Sequence, residues 1–517
     1  MTTIPEFYTN KNIFLTGATG FIGKVIIEKL LRCCPNVKAI YCLIRPKKGQ
    51  TAEERLKKIL DQKLFENVEK NMPDFQEKVR AIHGDIMEEG LALFDSDKEM
   101  LLNTIDIVFH SAASVRFEEP LRLAMEMNCL GVRRMVQVFK QCKRLEAFIH
   151  VSTAYSNCNK EYIEETIYPP PIEPQKIIDI LEWMSDEMLD LVTPKLLGNL
   201  PNTYTYTKNL AEHLLITEAE GMPVAIVRPS IVSAAWREPI PGWVDNFNGP
   251  SSLYIATGKG FLRSMVGDST AVADLVPLDL PVNTIISVGW YTATEKPREP
   301  LVYHVTTGSQ NPFTWGEIEN MVGNYFKRYP LDACYRRPKV RVFTPNSFLH
   351  DCWVLVSHLI PAYMVDMGYM IMGKKPRIVN LYTKLHKTMG SLKYFTSHEW
   401  KWTYNNMAML SSKMSPEDQK VFYLDCHAIH WPTYMENSCL GTKTFILKED
   451  LNGLPAARAH LRKLRNIRYM FNTMLLVILW RLLIARSNLA RNSWYFIMSL
   501  VFKFVRFFKI TSTISQK

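Results

Sequence analysis

Two tyrosines and one lysine lie within five positions of the stretch PNTYTYTK, residues 201–208, and side chains of these types can exchange protons. An α-helix turns by about 100° per residue, so positions four apart share a face and positions two apart do not. If a helix begins here, Tyr204 is the partner of Lys208 and Tyr206 points elsewhere. The pattern Tyr-x-x-x-Lys is short and also occurs in ordinary amphipathic helices, so its meaning depends on the surrounding elements.

The first of these elements is a glycine-rich turn near the amino end of the chain. Residues 12–16 read NIFLT, the turn GATGFIG follows, and KVIIEKLLRCC continues with helical periodicity. Gly17, Gly20 and Gly23 would permit a tight turn, close approach of a pyrophosphate to backbone N–H groups, and packing of the helix on the strand. This order of strand, turn and helix predicts a dinucleotide site.

The second predicted strand, AIYCLI at 39–44, ends in basic residues. Arg45 follows it directly, with Lys47 and Lys48 soon after. A site that prefers NAD usually has a carboxylate here to hold the ribose hydroxyls, whereas basic side chains suit the 2′-phosphate of NADPH. The alternative is a solvated basic turn with no ligand.

Two further units continue the pattern of strands and helices. VRAIHGDI, residues 79–86, carries Asp85 where a loop could contact adenine, and IDIVFHSAA, residues 105–113, ends in small residues that allow close approach of a cofactor. Asn128 lies on the following helix. We weigh a structural hydrogen-bonding role for it against a role in a proton relay.

The strand AFIHVSTAY, 147–155, contains two hydroxyl residues, Ser152 and Thr153, and VAIVRPSIV, 224–232, supplies one more strand. Ligands bind at the carboxyl ends of parallel strands. Five or six strand–helix units predict an α/β fold built on a doubly wound parallel sheet.

Composition and charge narrow the function classes. With 517 residues, 47% of them apolar and 22% charged, the chain is expected to be globular with two or three domains. The ten cysteines are scattered, which favours free thiols over a disulfide framework. Cys426 and His430 stand at helical spacing, but no second cluster supports them, so no metal site is predicted.

Basic charge is concentrated in the tail. Residues 456–517 contain twelve Lys and Arg and no Asp or Glu, so the remainder has 62 − 12 = 50 basic against 51 acidic residues, a net charge of −1. This distribution argues against a nucleic-acid partner and favours a membrane surface. The first twelve residues lack the apolar core of a signal peptide, so the catalytic part is expected in the cytosol.

A membrane span is predicted within this tail. YMFNTMLLVILW, 469–480, would form only about 18 Å of helix, against a hydrocarbon core of about 30 Å. Spanning therefore requires residues 466–485, with Arg468 and Arg481 directed toward headgroups. The second run, 494–509, mixes aromatic and basic residues and is typical of a helix that lies in the membrane interface.

The order of motifs GxxGxxG, STAY, YxxxK and RPSIV resembles the extended short-chain dehydrogenases/reductases with their Rossmann fold. More narrowly, the chain resembles vertebrate fatty acyl-CoA reductases, through LTGATGFIGKV, HVSTAYSNCN, TPKLLGNLPNTYTYTKNLAE, PGWVDNFNGPS, ADLVPLD and LGTKTFILKEDLNGLPAARAHLRKLRNIRY. The resemblance covers essentially the whole chain. It implies reduction of a long-chain acyl-CoA by two NADPH to a primary alcohol and free CoA.

This reaction needs a proton donor where negative charge develops on the carbonyl oxygen. Tyr204 is predicted to be that donor, with its pKa lowered from about 10 by the ammonium of Lys208, which could also bind the ribose. Thr153 would orient the carbonyl, with Ser152 as the alternative. The residues expected to bind NADPH are Thr16, Gly17, Thr19, Gly20, Phe21, Ile22, Gly23, Arg45, Lys47, Asp85, Ile86, Ala112, Lys208 and Pro229.

Three regions are expected. Residues 1–345 form the reductase domain, including a substrate loop at 237–268, where Lys259 and Arg263 would contact CoA phosphates unless the loop is merely structural. Residues 350–450 form a small, mainly helical domain whose apolar stripes are predicted to be core, with an acyl tunnel as the alternative. Residues 456–517 form the membrane tail, so a chain truncated at 455 is expected to be soluble.

The expected partners are an acyl-CoA, saturated or monounsaturated with 16–18 carbons, and a lipid membrane; a homo-oligomer is left open. The resemblance implies ether lipid and wax ester synthesis at the peroxisomal membrane, with the endoplasmic reticulum membrane as the alternative. The last three residues, SQK, are not a signal for import into the peroxisomal matrix. Two other functions are considered: a reductase of this fold acting on a steroid or sugar-nucleotide, and a membrane-tethered NADPH-sensing scaffold without catalysis. The retained Tyr/Lys pair argues against the scaffold.

Overall fold

Helices and parallel strands alternate through the first 330 residues. The computed structural model describes residues 2–47 and 49–514, with residues 507–514 described by backbone alone. The strands are β1 (Asn12–Thr16), β2 (Ala39–Ile44), β3 (Val79–His83), β4 (Ile107–His110), β5 (Ala147–Val151), β6 (Tyr162–Ile163), β7 (Val224–Pro229), β8 (Ile231–Ser233), β9 (Met265–Val266), β10 (Leu275–Pro277), β11 (Leu301–Val305), β12 (Phe343–Thr344) and β13 (Lys401–Trp402).

The α-helices connect these strands and make up most of the chain after residue 345. They are α1 (Ile4–Phe7), α2 (Phe21–Cys33), α3 (Ala52–Leu60), α4 (Glu66–Asn71), α5 (Asp95–Thr104), α6 (Leu121–Met125), α7 (Gly131–Phe139), α8 (Pro174–Trp183), α9 (Asp186–Leu197), α10 (Thr203–Glu218), α11 (Pro250–Gly258), α12 (Asp279–Glu295), α13 (Trp315–Arg328), α14 (Ser347–Trp353), α15 (Ile360–Ile371), α16 (Ile378–Thr396), α17 (Asn405–Lys413), α18 (Pro416–Val421), α19 (Trp431–Gly441), α20 (Leu454–Arg486) and α21 (Asn488–Ile514).

Seven parallel strands form the central sheet, in the order β11-β7-β5-β4-β1-β2-β3. The chain therefore starts in the middle of the sheet, extends to one edge and then returns to build the other half. Successive residues of β1 belong to opposite layers: Ile13 and Leu15 pack into one core and Phe14 into the other. Burial on both faces explains the continuous apolar run in this strand. The predicted doubly wound sheet is confirmed.

The segment that carries the Tyr/Lys pair begins a helix, as predicted. Asn202 is the N-cap of α10, and its side chain accepts a hydrogen bond of 2.9 Å from the backbone N–H of Thr205. This bond satisfies one of the backbone donors that the first turn leaves unpaired. It also fixes Tyr204 in the first turn of the helix, one turn before Lys208.

The apolar residues after position 345 divide into two groups. Those of α17 to α19, such as Met407, Leu410 and Met435, pack into the same core as one face of the central sheet. Those of α14, of α15 and of the π-helical segment that joins them, Val354–Leu359, lie largely on the surface: Val356 is 58% exposed, and Ile371 is 81% exposed. The prediction that the stripes of this region are core is right for the first group and wrong for the second.

The tail forms two long helices. The first turns of α20 pack against the body of the protein through Ala457 and Leu461, and the rest of the helix projects away from it. With 33 residues α20 is about 50 Å long, which exceeds the thickness of a hydrocarbon core. The predicted span at 466–485 lies within it. By length and composition, two described segments could cross a membrane, Ser347–Ile371 and Leu451–Arg486.

Helix α21 folds back against α20. The rings of Trp480 and Trp494 are 5.4 Å apart, although 14 residues of continuous helix would separate them by about 21 Å. The residue between the two helices, Ser487, is therefore the tip of a helical hairpin. The predicted interfacial segment 494–509 lies in α21, but its last three side chains lie outside the described part of the structure.

Candidate active site

A cleft of about 640 Å³ opens at the carboxyl ends of the central strands. It lies at the point where the strand order reverses, between β1 and β4, where open α/β sheets bind their ligands. The predicted site residues that line it are Thr16, Gly17, Thr19, Gly20, Phe21, Ile22, Gly23, Arg45, Asp85, Ile86, Ala112, Ser152, Thr153, Tyr204, Lys208 and Pro229. Lys47 is exposed and does not line the cleft, and Lys48 lies outside the described residues.

The glycine turn has the shape that a dinucleotide requires. Gly17 has a φ of +74°, and a Cβ at this position would lie 2.8 Å from the carbonyl carbon of Ser111. A Cβ on Gly23 would lie 2.2 Å from the carbonyl oxygen of Gly17, so any side chain there would separate α2 from the turn. The amino end of α2 consequently reaches the cleft with its backbone N–H groups uncovered by side chains, as pyrophosphate binding needs.

Two arginines border the cleft after β2. Arg45 is half exposed and lies 3.4 Å from the carboxylate of Asp85, and the guanidinium of Arg55 donates a hydrogen bond to the backbone carbonyl of Arg45. Burial and the charge of Arg45 lower the pKa of Arg55. Two neighbouring cations with one carboxylate between them leave net positive charge here, which suits a phosphate.

Tyr204 and Tyr206 have different surroundings. Tyr204 lines the cleft, and its ring is 5.8 Å from that of Phe117. Tyr206 is fully buried in an apolar cluster, and its hydroxyl has no hydrogen-bond partner among the described residues. Of these two tyrosines, Tyr204 is therefore the one that is placed to donate a proton into the cleft.

The charge state of this pair differs from the prediction. Burial raises the pKa of Tyr204 to about 12, which the Thr153 hydroxyl partly offsets. Lys208 donates a hydrogen bond of 2.8 Å to the Val151 carbonyl, and burial lowers the pKa of its ammonium to about 8. The expected lowering of the tyrosine pKa by Lys208 is therefore absent: loss of hydration is the dominant effect, and the opposing contribution comes from Thr153.

The two hydroxyls after β5 have different partners. Ser152 donates to the carboxylate of Glu212 at 2.5 Å, and Glu212 is also held by two hydrogen bonds from Arg228, at 2.7 and 2.9 Å. All three side chains are buried. The Thr153 hydroxyl contacts the Pro229 carbonyl at 3.5 Å, accepts a 3.3 Å bond from the Tyr155 N–H and interacts with the hydroxyl of Tyr204 in the cleft. Thr153 is therefore the hydroxyl that is available to a ligand.

Asn128 has a complete set of structural partners. Its amide donates to the Thr207 hydroxyl at 3.0 Å and to the Ser114 carbonyl at 3.1 Å, and its oxygen accepts from the Ser114 N–H at 2.8 Å. These bonds tie the loop after β4 to α10. Of the two roles that were weighed, the contacts match the structural one.

A pair of neutral histidines lies beneath the pair of Tyr204 and Lys208. His110 and His150 stack with ring centroids 5.3 Å apart, and burial, together with the nearby charge of Lys208, lowers the pKa of His110 to about 3. His110 also lies 2.7 Å from the Thr16 hydroxyl, which accepts a hydrogen bond from the Ala112 N–H. Lys208 is consequently a cation beside two imidazoles that are neutral at neutral pH.

The predicted substrate loop contributes only its middle section. Asp245, Asn246, Asn248 and Gly249 line the cleft, and Lys24 forms a salt bridge with Asp245 that holds this section against α2. The rest of residues 237–268 includes α11 and packs on the body of the protein.

The predicted CoA contacts in this loop are corrected by the structure. The ammonium of Lys259 lies 2.6 Å from Glu449, and Arg263 donates to the Arg337 carbonyl at 2.9 Å. Neither residue lines the cleft. Both cations bind residues in the later part of the chain and hold the loop against it. No local sequence pattern predicts this role.

The cysteine and histidine residues show no metal site. Cys426 contacts Gln310, and His430 contacts Thr433. Within the described ranges, no three His, Cys, Asp or Glu residues are grouped as a metal would require. All ten cysteines are free thiols.

Several lining residues were not predicted. Arg55 follows a capping box in which Thr51 and Glu54 fix the start of α3 beside the end of β2, and that motif could have indicated it. The ring centroid of Phe117 lies 5.1 Å from that of Phe395 in α16. The helical region after residue 345 is therefore part of the cleft wall next to Tyr204. No sequence spacing connects residues so far apart.

Known proteins resemble this chain over nearly its whole length. Two family models described as male sterility protein match the chain, an NAD-binding model at residues 15–285 and a second model at residues 357–449. Fatty acyl-CoA reductase 1 of Mus musculus is 51% identical over 99% of both chains, and the Homo sapiens protein of that name gives the same values. Fatty acyl-CoA reductase 2 of Mus musculus is 50% identical over 99% of this chain and 100% of its own.

Solved structures share the fold at low sequence identity. The terminal R domain from the myxalamid biosynthetic pathway has a TM-score of 0.55 and 20% identity, and covers 84% of this chain and 90% of its own. The reductase domain of the aureusimine cluster has a TM-score of 0.51 and 14% identity, over 84% and 92% of the two chains. These similarities support the reductase fold and nothing finer.

Proposed function

Since the chain belongs to the family of fatty acyl-CoA reductases, we propose that it reduces a long-chain fatty acyl-CoA to the primary alcohol and free CoA, using two NADPH. The observation that carries this proposal is the convergence of Thr153, Tyr204 and Lys208 on the cleft that also contains the glycine turn. A proton donor, a hydroxyl and a cation lie where a bound dinucleotide would end.

The residues of the cleft fit a nicotinamide dinucleotide. Gly17 and Gly23 leave room for a pyrophosphate at the start of α2, and Lys208 can donate to the ribose next to the nicotinamide. Arg45 and Arg55 supply positive charge for a 2′-phosphate, which supports NADPH as the cofactor. When bound, NADPH supplies the two hydride equivalents of the reaction.

Tyr204 donates the proton that the substrate oxygen needs as it gains negative charge. Because its pKa is raised by burial, the phenol is fully protonated at neutral pH and is a hydrogen-bond donor rather than a phenolate. The Thr153 hydroxyl adds a second donor to the same oxygen. The ammonium of Lys208 then stabilises the tyrosinate that remains until a proton returns to it from solvent.

The reaction requires two rounds of this chemistry. The first converts the thioester into a thiohemiacetal, whose C–S bond breaks to give an aldehyde and the CoA thiol, and the second converts the aldehyde into the alcohol. Tyr204 and Thr153 face the substrate oxygen in both rounds. No cysteine lines the cleft among the described residues, so direct reduction of the thioester is favoured over an acyl-enzyme.

We propose three regions with separate tasks. Residues 1–345 bind the dinucleotide and carry out the reaction, residues 350–450 complete the wall of the cleft next to Tyr204, and residues 456–517 anchor the chain in a membrane. Support for the anchor comes from the exposed apolar residues of α20, such as Leu476 at 68% exposure, together with the absence of acidic residues in the tail sequence.

Resemblance to the family supports an acyl chain of 16–18 carbons, a peroxisomal membrane with the endoplasmic reticulum as the alternative, and a role in ether lipid and wax ester synthesis. The cytosolic orientation of the catalytic part is supported by the free thiols and by the need for acyl-CoA. Protease added to intact organelles should degrade the catalytic part. Protection without detergent would contradict this orientation.

The reaction is tested with purified protein, palmitoyl-CoA and NADPH. Hexadecanol and free CoA are measured by mass spectrometry. Equal amounts of the two products are expected, with two NADPH oxidised for each alcohol formed. The control is the Tyr204→Phe variant. If no acyl-CoA of any chain length yields alcohol, the proposal fails, and reduction of a steroid or sugar-nucleotide becomes the next reaction to test.

A further inference from the structure

Residues 347–371 form α14, the segment Val354–Leu359 and α15, and one side of them faces away from the body of the protein. We call this side the outer face of α14 and α15. It consists of apolar side chains that no described part of the protein covers. These residues stand three or four positions apart and form one stripe, Trp353, Val356, Ile360, Met364, Met367 and Ile371. Each is 47–81% exposed. Soluble proteins rarely leave a contiguous stripe of this kind in water, and such stripes mark contact sites.

The inner face of the same helices is bound to the body of the protein. The carboxylate of Asp366 accepts hydrogen bonds of 2.8–3.0 Å from three backbone N–H groups at the start of α16. His358 accepts from the Arg263 N–H at 3.1 Å and lies 2.9 Å from His386. Crossing a bilayer would expose these polar groups to lipid. The segment therefore rests on the protein, and only its outer face is open to a partner.

Basic side chains surround this outer face. Lys374, Lys375 and Arg377 are exposed after α15, Arg341 is exposed before α14, and the Lys339 ammonium lies 4.7 Å from the ring centre of Trp353. Within the described residues, none of the five forms a salt bridge. Residues 347–377, which include both helices, contain two acidic residues, Asp351, which is exposed, and Asp366, which is buried. This basic rim is complementary to an anionic surface.

The outer face is also continuous with the tail. Burial and neighbouring cations, among them Arg468 in the part of α20 that projects from the protein, lower the pKa of Arg263 and of Lys339, and the Lys339 ammonium donates a hydrogen bond of 2.8 Å to the Arg263 carbonyl. Arg468 is where the predicted membrane span begins. The helix that enters the bilayer thus leaves the protein beside the stripe.

We propose that the outer face of α14 and α15 lies in the headgroup region of the bilayer that holds the tail, with the basic rim on anionic lipid headgroups. A second copy of the chain is a poorer occupant, because a symmetric contact would bring the two basic rims together. This inference rests on the proposed membrane anchor and is independent of the reductase reaction. It revises the expectation for a chain truncated at 455, which should keep a salt-sensitive affinity for anionic membranes.

The test uses the full-length protein in vesicles of phosphatidylcholine and phosphatidylserine. The exposed thiol is first removed by Cys352→Ser, and an environment-sensitive fluorophore is then attached to Met364→Cys on the outer face. The matched control is Leu191→Cys in α9, an apolar residue that is 80% exposed elsewhere on the protein. A third label, at Leu479→Cys, reports on the tail.

Nitroxide-bearing lipids should quench the labels at 364 and 479, with a blue shift at 364, and should leave the label at 191 unquenched. Quenching at 479 without quenching at 364 overturns the proposal but preserves the anchor. Absence of quenching at both overturns the anchor and the proposal together. Self-quenching at 364 between copies, without quenching by lipid, assigns the face to self-association and also overturns it.

A second arm tests the basic rim. Replacing Lys374, Lys375 and Arg377 by Gln, or omitting phosphatidylserine, should weaken lipid quenching at 364 and leave quenching at 479 unchanged. Quenching at 364 that is unaffected by both changes contradicts the role of the rim. Alcohol formation is measured on the same vesicles, so failure of the reductase proposal would be seen separately.

Discussion

The central sheet and the tail are both rich in apolar residues, but they present those residues in opposite directions. Ile13 in β1 is fully buried, while Leu476 in α20 is 68% exposed. The charged residues of the two regions also differ, in whether they have a partner of opposite charge. In the sheet region, Arg228 and Glu212 are both buried and lie 2.7 Å apart, whereas the tail has twelve basic residues and no acidic ones.

This difference shows that apolar content alone does not separate a protein core from a lipid-facing surface. A charge inside a core needs a partner, because burying it alone costs more free energy than folding can supply. A charge beside a membrane instead finds its partners in the lipid headgroups. The presence or absence of opposite charges therefore distinguishes the two kinds of apolar region better than hydropathy does.

The sharpest test of this contrast places the same charge in both regions. Ile13→Lys should prevent folding, since an unpaired ammonium would lie inside the core on one face of the sheet. Leu476→Lys should leave the fold intact and weaken membrane insertion, by about 3 kcal/mol near the bilayer centre. Circular dichroism in detergent and flotation with vesicles measure the two effects. Similar unfolding by both variants would refute the contrast.

Within the cleft, the largest effect is expected from one of two nearby tyrosines. Tyr204→Phe should reduce kcat by about 10²–10⁴-fold, because a proton donor is lost, while NADPH still binds. Tyr206→Phe should retain most activity, since its buried hydroxyl has no hydrogen-bond partner among the described residues. Alcohol formation and NADPH binding by fluorescence are measured for both variants. Equal losses would refute the assignment of Tyr204 as the proton donor.

The arginines after β2 should decide cofactor preference. Arg45→Ala and Arg55→Ala are each expected to raise the KM for NADPH by about 10–100-fold, as charge-assisted hydrogen bonds contribute about 1.5–3 kcal/mol. The KM for NADH should change far less. The control is Lys47→Ala, an exposed residue outside the cleft. A wild-type enzyme that uses both cofactors equally well would contradict this prediction.

The smallest expected effect is a pH dependence set by Lys208. Burial lowers the pKa of its ammonium from 10.5 to about 8, so the charged form is lost as the pH rises through that value. We expect kcat/KM to fall above pH 8, about tenfold per unit. Lys208→Arg, which stays charged, should remove this fall even if its activity is lower at every pH.

Unfolding does not explain such a fall. Between pH 8 and 10.5 the unfolded chain binds the proton that folded Lys208 has lost, so the contribution of this group to the free energy of unfolding rises with pH. Thermal unfolding measured over the same pH range separates the two effects. A profile that is flat from pH 7 to 10 would contradict the role of the ammonium.

Local patterns accounted for the elements and for most of the cleft. The glycine turn after β1, the strand β5 with Thr153 two residues beyond its end, and the helical spacing of Tyr204 and Lys208 are short-range features, and the structure contains each of them. The misplaced residues, Lys259 and Arg263, were assigned from charge within a loop. Their partners lie up to 190 positions away, so no local pattern could have shown that they were already occupied.

The sequence by itself determined the order of strands and helices, the dinucleotide turn and the basic, apolar character of the tail, because each depends on residues close together in the chain. The tertiary structure alone decided which hydroxyl faces the cleft, how burial changes the pKa of Tyr204 and Lys208, and which apolar stripe stays outside. These properties depend on desolvation and on distant partners. Burial is a property of the packed chain: apolar residues at helical spacing lie on the surface in α15 and in the core in α17.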